Sequence, residues 1–424
     1  MTKKTLLMFI GFVVLLFIFS SPFWTWQLKA SENLDVLIID KTVPDQSYRE
    51  HKGLIWLLNH LKLNKNGEEK YKVEEDYVGF IPTNNPPQFE IRKLPEDLSP
   101  YDILYLADGY GVYKEEYLGR NQEGNRSELL YGGMTKAEVE SLSSSLIENK
   151  QTLIAEFNTF GSPTEESVRS DFYQLLNLDW TGWMGRYFQD LSSNEVPAWV
   201  KQNYERQYNK SFNYKGNGFV FVNEEDQVIV LTEKDISNGH ALFMLTKKGA
   251  EQFDMKESVP YHYWFDIVKA REEQEVQATF ELPLTDSGKK KLDEHDIPLK
   301  FPAVIHHQNQ SYDTYYFAGD FVDQEKVPGL YQMTGISWWQ KLFSFEQAGR
   351  TDTFFWKAYV PIMTSILTTN KEQESTEQIN DPEILTENGI SLVATTNDEY
   401  LQLYRNGTWE EILVKGVNMG IAKP

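Results

Sequence analysis

Polar groups that stand where apolar runs stop are the first feature of this sequence with chemical content. The run Asn33–Asp40 ends in Asp40 and Lys41, the run Asp102–Asp108 in Asp108, and Thr152–Phe157 carries Glu156 and leads to Asn158. Two later runs end near His306, His307 and Asp320. In an open α/β sheet, ligands bind beyond the carboxyl ends of the strands. Convergence of these groups there would make a polar crevice able to hydrogen-bond hydroxyls. Asp108 and Glu156 are also candidates for acid and base on a glycosidic bond, which needs two carboxyl groups flanking it. His306 is the third candidate catalytic group. The plain alternative is that strands end in polar residues where they meet solvent, and that Asp and Asn cap and turn there. Trp180, Trp183, Trp338 and Trp339 offer faces that stack on sugar rings; core packing and interfaces explain adjacent tryptophans equally well. His306 and His307, neighbours on a strand, point to opposite faces and cannot share one metal. Neither a metal nor a cofactor is expected. The sequence has no Gly-x-Ser-x-Gly elbow, no Walker lysine loop and no Gly-x-Gly-x-x-Gly after the first strand.

Elements of alternating type must position these groups. Strands are predicted at Asn33–Asp40, Tyr71–Phe80, Asp102–Asp108 and Thr152–Phe157. Helices are predicted at Ser47–Leu63, with Ser47 and Glu50 as a capping box, at Thr135–Asn149, with Thr135 and Glu138 as another, and at Glu165–Leu176. Strand–helix–strand at this spacing argues for a doubly wound, mainly parallel sheet. From about 180 to 300 the character changes to an aromatic stretch with turns at Gly182 and Gly185. Short β-like runs come next, at Gly218–Val222, Gln227–Leu231, His240–Leu245, Tyr261–Val268 and Val276–Leu282, which read as an antiparallel insertion. Ala303–His307 and Tyr312–Gly319 return to the main sheet. Phe354–Leu367 reads as a helix kinked or broken at Pro361. Residues 370–389 read as a linker, and 390–424 as a short β segment with an Asn406-Gly407 hairpin turn.

Composition bounds the function. The chain has 424 residues with 63 acidic against 41 basic side chains, a net charge of −22, which disfavours a nucleic-acid partner. Zero cysteines exclude disulfides, Cys-ligated zinc, iron–sulfur clusters, a thiol nucleophile and a lipoprotein anchor. Lys3 and Lys4 precede an apolar run from Leu6 to Phe19 that continues into Phe23, Trp24 and Trp26. Residues 1–30 therefore read as a single-pass signal-anchor that leaves the remainder outside the cytoplasm. A cleaved signal peptide with Ala30 at its end is the competing reading. The aromatic flank favours the anchor.

Two stretches carry a resemblance. Tyr101–Tyr113 (YDILYLADGYGVY), Met134-Thr-Lys-Ala-Glu138, Thr152–Asn158 (TLIAEFN) and Tyr315–Asp320 (YYFAGD) resemble class I glutamine amidotransferase-like domains over about residues 32–370. That resemblance implies a flavodoxin-like α/β domain spanning 31–369. The family's catalytic cysteine has no counterpart here, so the domain would be a non-catalytic relative. Leu403–Gly420 (LYRNGTWEEILVKGVNMG) is similar to the segment that leads into the barrel of glycoside-hydrolase-like proteins, of the kind found beside exopolysaccharide glycosyltransferases. It implies a barrel that the chain stops short of at Pro424.

Together these features lead to an expected bacterial, membrane-anchored, extracytoplasmic and non-catalytic accessory or glycan-binding protein linked to cell-surface polysaccharide. Expected ligand-binding residues are Asp40, Lys41, Asp108, Glu156, Asn158, Asp320, Trp180 and Trp183. The alternatives are the N-terminal part of a membrane-bound glycoside-hydrolase-like enzyme, or a structural partner of a glycosyltransferase.

Overall fold

The computed structural model describes residues 3–255, 258–324, 326–344, 352–369 and, in the tail, 385–387, 390–393, 400–405 and 408–413. The chain divides into two units, Met1–Thr364 and Ser365–Pro424. The first is a mixed α/β domain that begins with one long apolar helix.

Among the described residues, the first unit is built on a ten-stranded sheet. Five consecutive strands of it, Val36–Asp40, Val78–Pro82, Ile103–Asp108, Thr152–Ala155 and Asp313–Phe317, pair in parallel. Numbered along the chain, they lie in the order 2-1-3-4-5. The first, third and fourth read VLIID, ILYLAD and TLIA and are buried throughout. Strands covered on both faces have no polar side to alternate with, so they read as unbroken apolar runs. Phe89–Arg92 adds an antiparallel edge on one side. Lys300–Gln308, Val276–Glu281, Ala241–Leu245 and Val259–Tyr261 extend the other side, each pairing antiparallel.

The inserted region also forms a second antiparallel sheet, in the order Val228–Thr232, Gly218–Asn223, Leu178–Phe188, Trp264–Ala270. The aromatic stretch after 178 is thus one eleven-residue strand. Its register shifts between Trp180 and Met184, where Gly182 takes φ 82°. Gly185 makes no turn. It sits in the strand because the rings of Phe265 and Phe221 come so close that a Cβ would lie within 2.8 Å of both. A separate core forms where Val200 and Tyr204 of the helix Ala198–Tyr208 pack on Val220, Val222, Val228 and Val230. The second sheet joins the first through Asp266 N–H, which donates to the Ala318 carbonyl at 2.7 Å.

Two sequences of the same capping pattern fold differently. Thr135 and Glu138 form the expected capping box at the start of Lys136–Asn149. Ser47 and Glu50 do not, because the helix begins only at Lys52 with His51 before it. Tyr48 takes φ 49°, and a turn over 48–51 precedes the helix. The Lys52–Leu61 helix sets Trp56 edge-on to Trp356 at 5.1 Å. Phe355–Tyr359 forms a wide π-type turn within a longer helical run. Pro361 comes next without breaking the helix, having no N–H to give the Lys357 carbonyl.

In the second unit, Leu385–Glu387, Ile390–Val393, Tyr400–Arg405 and Thr408–Leu413 form an antiparallel meander. Residues 370–384, the Asn406-Gly407 turn and the segment Val414–Gly420 lie outside the described residues.

Candidate functional site

Four parallel strands deliver acidic groups to one end of the sheet. Asp40 closes the first and Asp108 the third, and the two are register partners. Glu156 and Asn158 lie just past the fourth, and Asp320 and Asp323 just past the fifth. The place is the boundary between the first and third strands, where strand order reverses and successive connections leave the sheet in opposite directions.

Most of these groups are held by protein partners. Asp40 is buried; its Oδ2 meets His51 Nδ1 at 2.6 Å and its Oδ1 accepts the Thr42 N–H at 2.9 Å. His51 Nε2 faces the Val73 carbonyl at 2.9 Å, and the ring stacks on Tyr77 at 4.6 Å. Lys41, also buried, donates to both Glu138 oxygens (2.8 and 2.7 Å) and to the Gly133 carbonyl (2.7 Å). Burial lowers its pKa, and Glu138 opposes that by favouring the ammonium. Lys41 therefore pins the first strand to the start of the Lys136–Asn149 helix.

Asp108 accepts from Thr42 Oγ1 (2.7 Å), from the Tyr110 N–H (2.6 Å) and from Asn158 Nδ2 (2.9 Å). Burial still pushes its carboxyl up to about 7 against those three donors. Glu156 is a clamp. One oxygen accepts the Phe321 and Val322 N–H groups (2.9 and 3.2 Å), and the other bonds the Tyr105 hydroxyl, itself 2.9 Å from the Tyr359 hydroxyl. Burial raises this carboxyl to about 8.

Glu50 and Asp320 are different. Glu50 is buried, its Oε2 has no hydrogen-bond partner among the described residues, and the cation Arg49 stands 3.7 Å from Oε1. Arg49 is engaged with Asp323 through two nitrogens and with the Tyr263 hydroxyl at 3.1 Å. One oxygen each of Glu50, Asp320 and Asp323 lie within 4.8 Å of one another. Burial, then the neighbouring carboxylates, hold both Glu50 and Asp320 well above the ordinary carboxyl range. Crowded acids of this kind relieve their repulsion by keeping a proton or by holding a cation. Among the described residues, these three have oxygens arranged for a hard metal ion.

The second sheet contributes Asp266, which is buried and accepts the Tyr316 hydroxyl at 2.6 Å. Burial raises its carboxyl to about 7.

His306 stands elsewhere, and the rings of Trp180 and Trp183 are buried. His306 lies on Lys300–Gln308, which runs antiparallel to the fifth parallel strand with His306 opposite Tyr315. Tyr315 in turn is level with Ile154, and Gln308 pairs with Asp313 at the start of its strand. His306 therefore sits toward the opposite end of the sheet from Asp108, stacked 4.1 Å above Tyr315. Trp180 and Trp183 are each 8% exposed. Trp180 donates its indole N–H to the Trp183 carbonyl at 3.1 Å and lies under Arg169 at 5.3 Å. Their faces are taken up by protein.

No family model matches this sequence, and no curated protein matches it. Among solved structures the chain is similar to "Crystal structure of Agd3 a novel carbohydrate deacetylase". The TM-score is 0.29 with 10% identity, over 68% of this chain and 29% of that one. A likeness at that level carries no argument about activity.

The raised carboxyls give the protein a signed pH response. Asp108, Glu156 and Asp266 bind their protons more tightly folded than unfolded, so their contribution is full below about pH 4 and is lost as pH rises toward 7–8. His262 and His306, both lowered to about 4 by burial, act in the opposite sense, but only below about pH 6.5. Between pH 6.5 and 8 the carboxyls alone remain. Thermal scans of the detergent-solubilised chain should show Tm falling across that window, and Glu156→Gln should flatten the slope. An equally steep slope in Glu156→Gln would refute this assignment.

Proposed function

We propose that this chain is a membrane-anchored, extracytoplasmic protein whose acid-lined crevice binds the hydroxyl groups of cell-surface polysaccharide. The observation that carries the reading is buried Glu50, whose Oε2 has no hydrogen-bond partner among the described residues, standing with an oxygen within 4.8 Å of one of Asp320. A protonated carboxyl both donates and accepts, which matches a sugar hydroxyl that does the same. The helix Lys4–Leu28 is long and apolar enough to span a membrane, and it supports the anchor. The 2-1-3-4-5 order of the parallel strands is that of flavodoxin-like sheets and supports an amidotransferase-like domain without the nucleophile. The two alternative roles, as part of a hydrolase or as a partner of a glycosyltransferase, would use the same crevice or its rim.

Glu50→Ala and Asp320→Ala, which remove donor and acceptor alike, should each weaken retention on neutral polysaccharide by about tenfold, the loss of one buried hydrogen bond. Retention unchanged in both variants would overturn the reading. The three carboxylate oxygens within 4.8 Å favour a second one, a divalent-cation site. The two differ in sign with pH. Cation binding needs deprotonated ligands and strengthens as pH rises, whereas hydroxyl binding by a retained proton weakens. Calorimetric titration with Ca²⁺ or Mg²⁺ alone at two pH values separates them.

A further inference from the structure

The N-terminal helix does not leave the domain through a free tether. Its last turns are bonded to it: Trp26, 5% exposed, donates its indole N–H to the His60 carbonyl at 2.8 Å. Lys62 Nζ reaches the Gln27 and Lys29 carbonyls and lies 4.5 Å from the Trp26 ring centre. The Thr334 N–H donates to the Pro22 carbonyl at 2.9 Å, and the Thr25 and Thr334 hydroxyls meet at 3.0 Å. This last contact fixes the axial level of the chain just past Thr334.

That chain is the helix Ile336–Phe343, sequence ISWWQKLF. Ile336 packs inward, while Trp338, Trp339, Leu342 and Phe343 are 57%, 47%, 48% and 62% exposed. Residues four apart on a helix lie one above the other, so Trp338 with Leu342 and Trp339 with Phe343 form two adjacent rows. Trp339 and Phe343 are stacked at 5.6 Å. A soluble surface gains nothing from four large apolar side chains within six positions.

The level of that surface decides what covers it. At ~1.5 Å per residue, the stretch from Thr5 to Trp24 measures about 30 Å, the thickness of a hydrocarbon core. Thr334 is bonded at Pro22 and Thr25, so the helix starts where the apolar run leaves the bilayer. Phe23 and Trp24 are exposed at the same level. Amphipathic aromatics concentrate at this depth.

Building on the membrane-spanning reading of the first helix, we infer that Ile336–Phe343 lies in the headgroup region of the outer leaflet, with Trp338, Trp339, Leu342 and Phe343 inserted among lipids. The domain then stands on the membrane at two points, the spanning helix and this interfacial one.

The absence of cysteine makes the test direct. Leu342→Cys, Val14→Cys and Ile147→Cys are introduced singly into the full chain, labelled with an environment-sensitive fluorophore and reconstituted into phosphatidylcholine vesicles. Ile147 is exposed on the Lys136–Asn149 helix and serves as the water-facing reference. The label at 342 is expected to be blue-shifted and quenched by spin-labelled lipid severalfold more than the label at 147. Lipid quenching at 14 but not at 342 overturns this inference and leaves the anchor standing. Absence of quenching at 14 overturns both. A label at 342 shielded from lipid and from aqueous iodide alike means that protein covers the helix, and also overturns it.

Discussion

Replacing Glu156 by alanine is expected to destabilise the protein by about 3 kcal/mol, whereas Glu156→Gln is expected to cost less than about 1 kcal/mol. Alanine leaves the Phe321 and Val322 N–H groups and the Tyr105 hydroxyl without the Glu156 oxygens in a buried place. Glutamine keeps an oxygen for the two N–H groups and places an N–H opposite Tyr105, whose own hydrogen can pass to Tyr359. Denaturant titration of the three proteins checks this directly. Equal losses for alanine and glutamine would mean that the carboxyl is needed as a charge and that Glu156 is no clamp. The clamp also holds the turn that bears Asp320 and Asp323, so Glu156→Ala should impair ligand retention even at temperatures where the chain is folded. On the proposed reading Glu156 would act as a positioning residue.

His51→Ala should be at least as damaging, at about 3–5 kcal/mol, because it strands the buried Asp40 carboxylate with little beyond the Thr42 N–H to hold it. It also removes the stack on Tyr77. Adding Asp40→Asn to His51→Ala should recover part of the loss, since the neutral amide is cheaper to bury than an unpaired charge. Thermal unfolding of the single and double variants measures the recovery. A double variant less stable than His51→Ala alone would show that Asp40 has other support.

The strand ends are legible in the sequence because fully buried strands cannot hide: VLIID and ILYLAD stop at Asp40 and Asp108, where the strands end. Helix starts are legible only in part. Thr135 and Glu138 cap, but Ser47 and Glu50, identical in spacing, do not, and the carboxylate that pattern assigns to a helix end is the one left without a partner beside Asp320. Local sequence gives no sign of that difference, since it arises from the left-handed turn at Tyr48. Arg49 and Asp323 are 274 positions apart, and no spacing rule links them. His306 departs from expectation for a related reason. Periodicity identifies a strand but carries no information about which way it runs, and Lys300–Gln308 runs against the parallel set. Trp180 and Trp183 look like a platform for rings until the register shift in Leu178–Phe188 turns them into the core.

The seating of Trp26, Thr25 and Lys29 against the domain bears on how such a protein would meet a polymer. A globule on a loose leash samples a hemisphere and catches chains arriving from any direction, with an effective concentration set by leash length. A globule welded to its stalk has no such search volume. On the proposed reading, a crevice so held would keep one heading and one height above the lipid, and capture would depend on strands presented along that line, as strands extruded close by in the same membrane would be. Replacing Thr25 and Trp26 by alanine and inserting a few glycines between Leu28 and Ser31 would convert the weld into a leash. It would broaden the headings accepted and weaken capture of chains that emerge alongside.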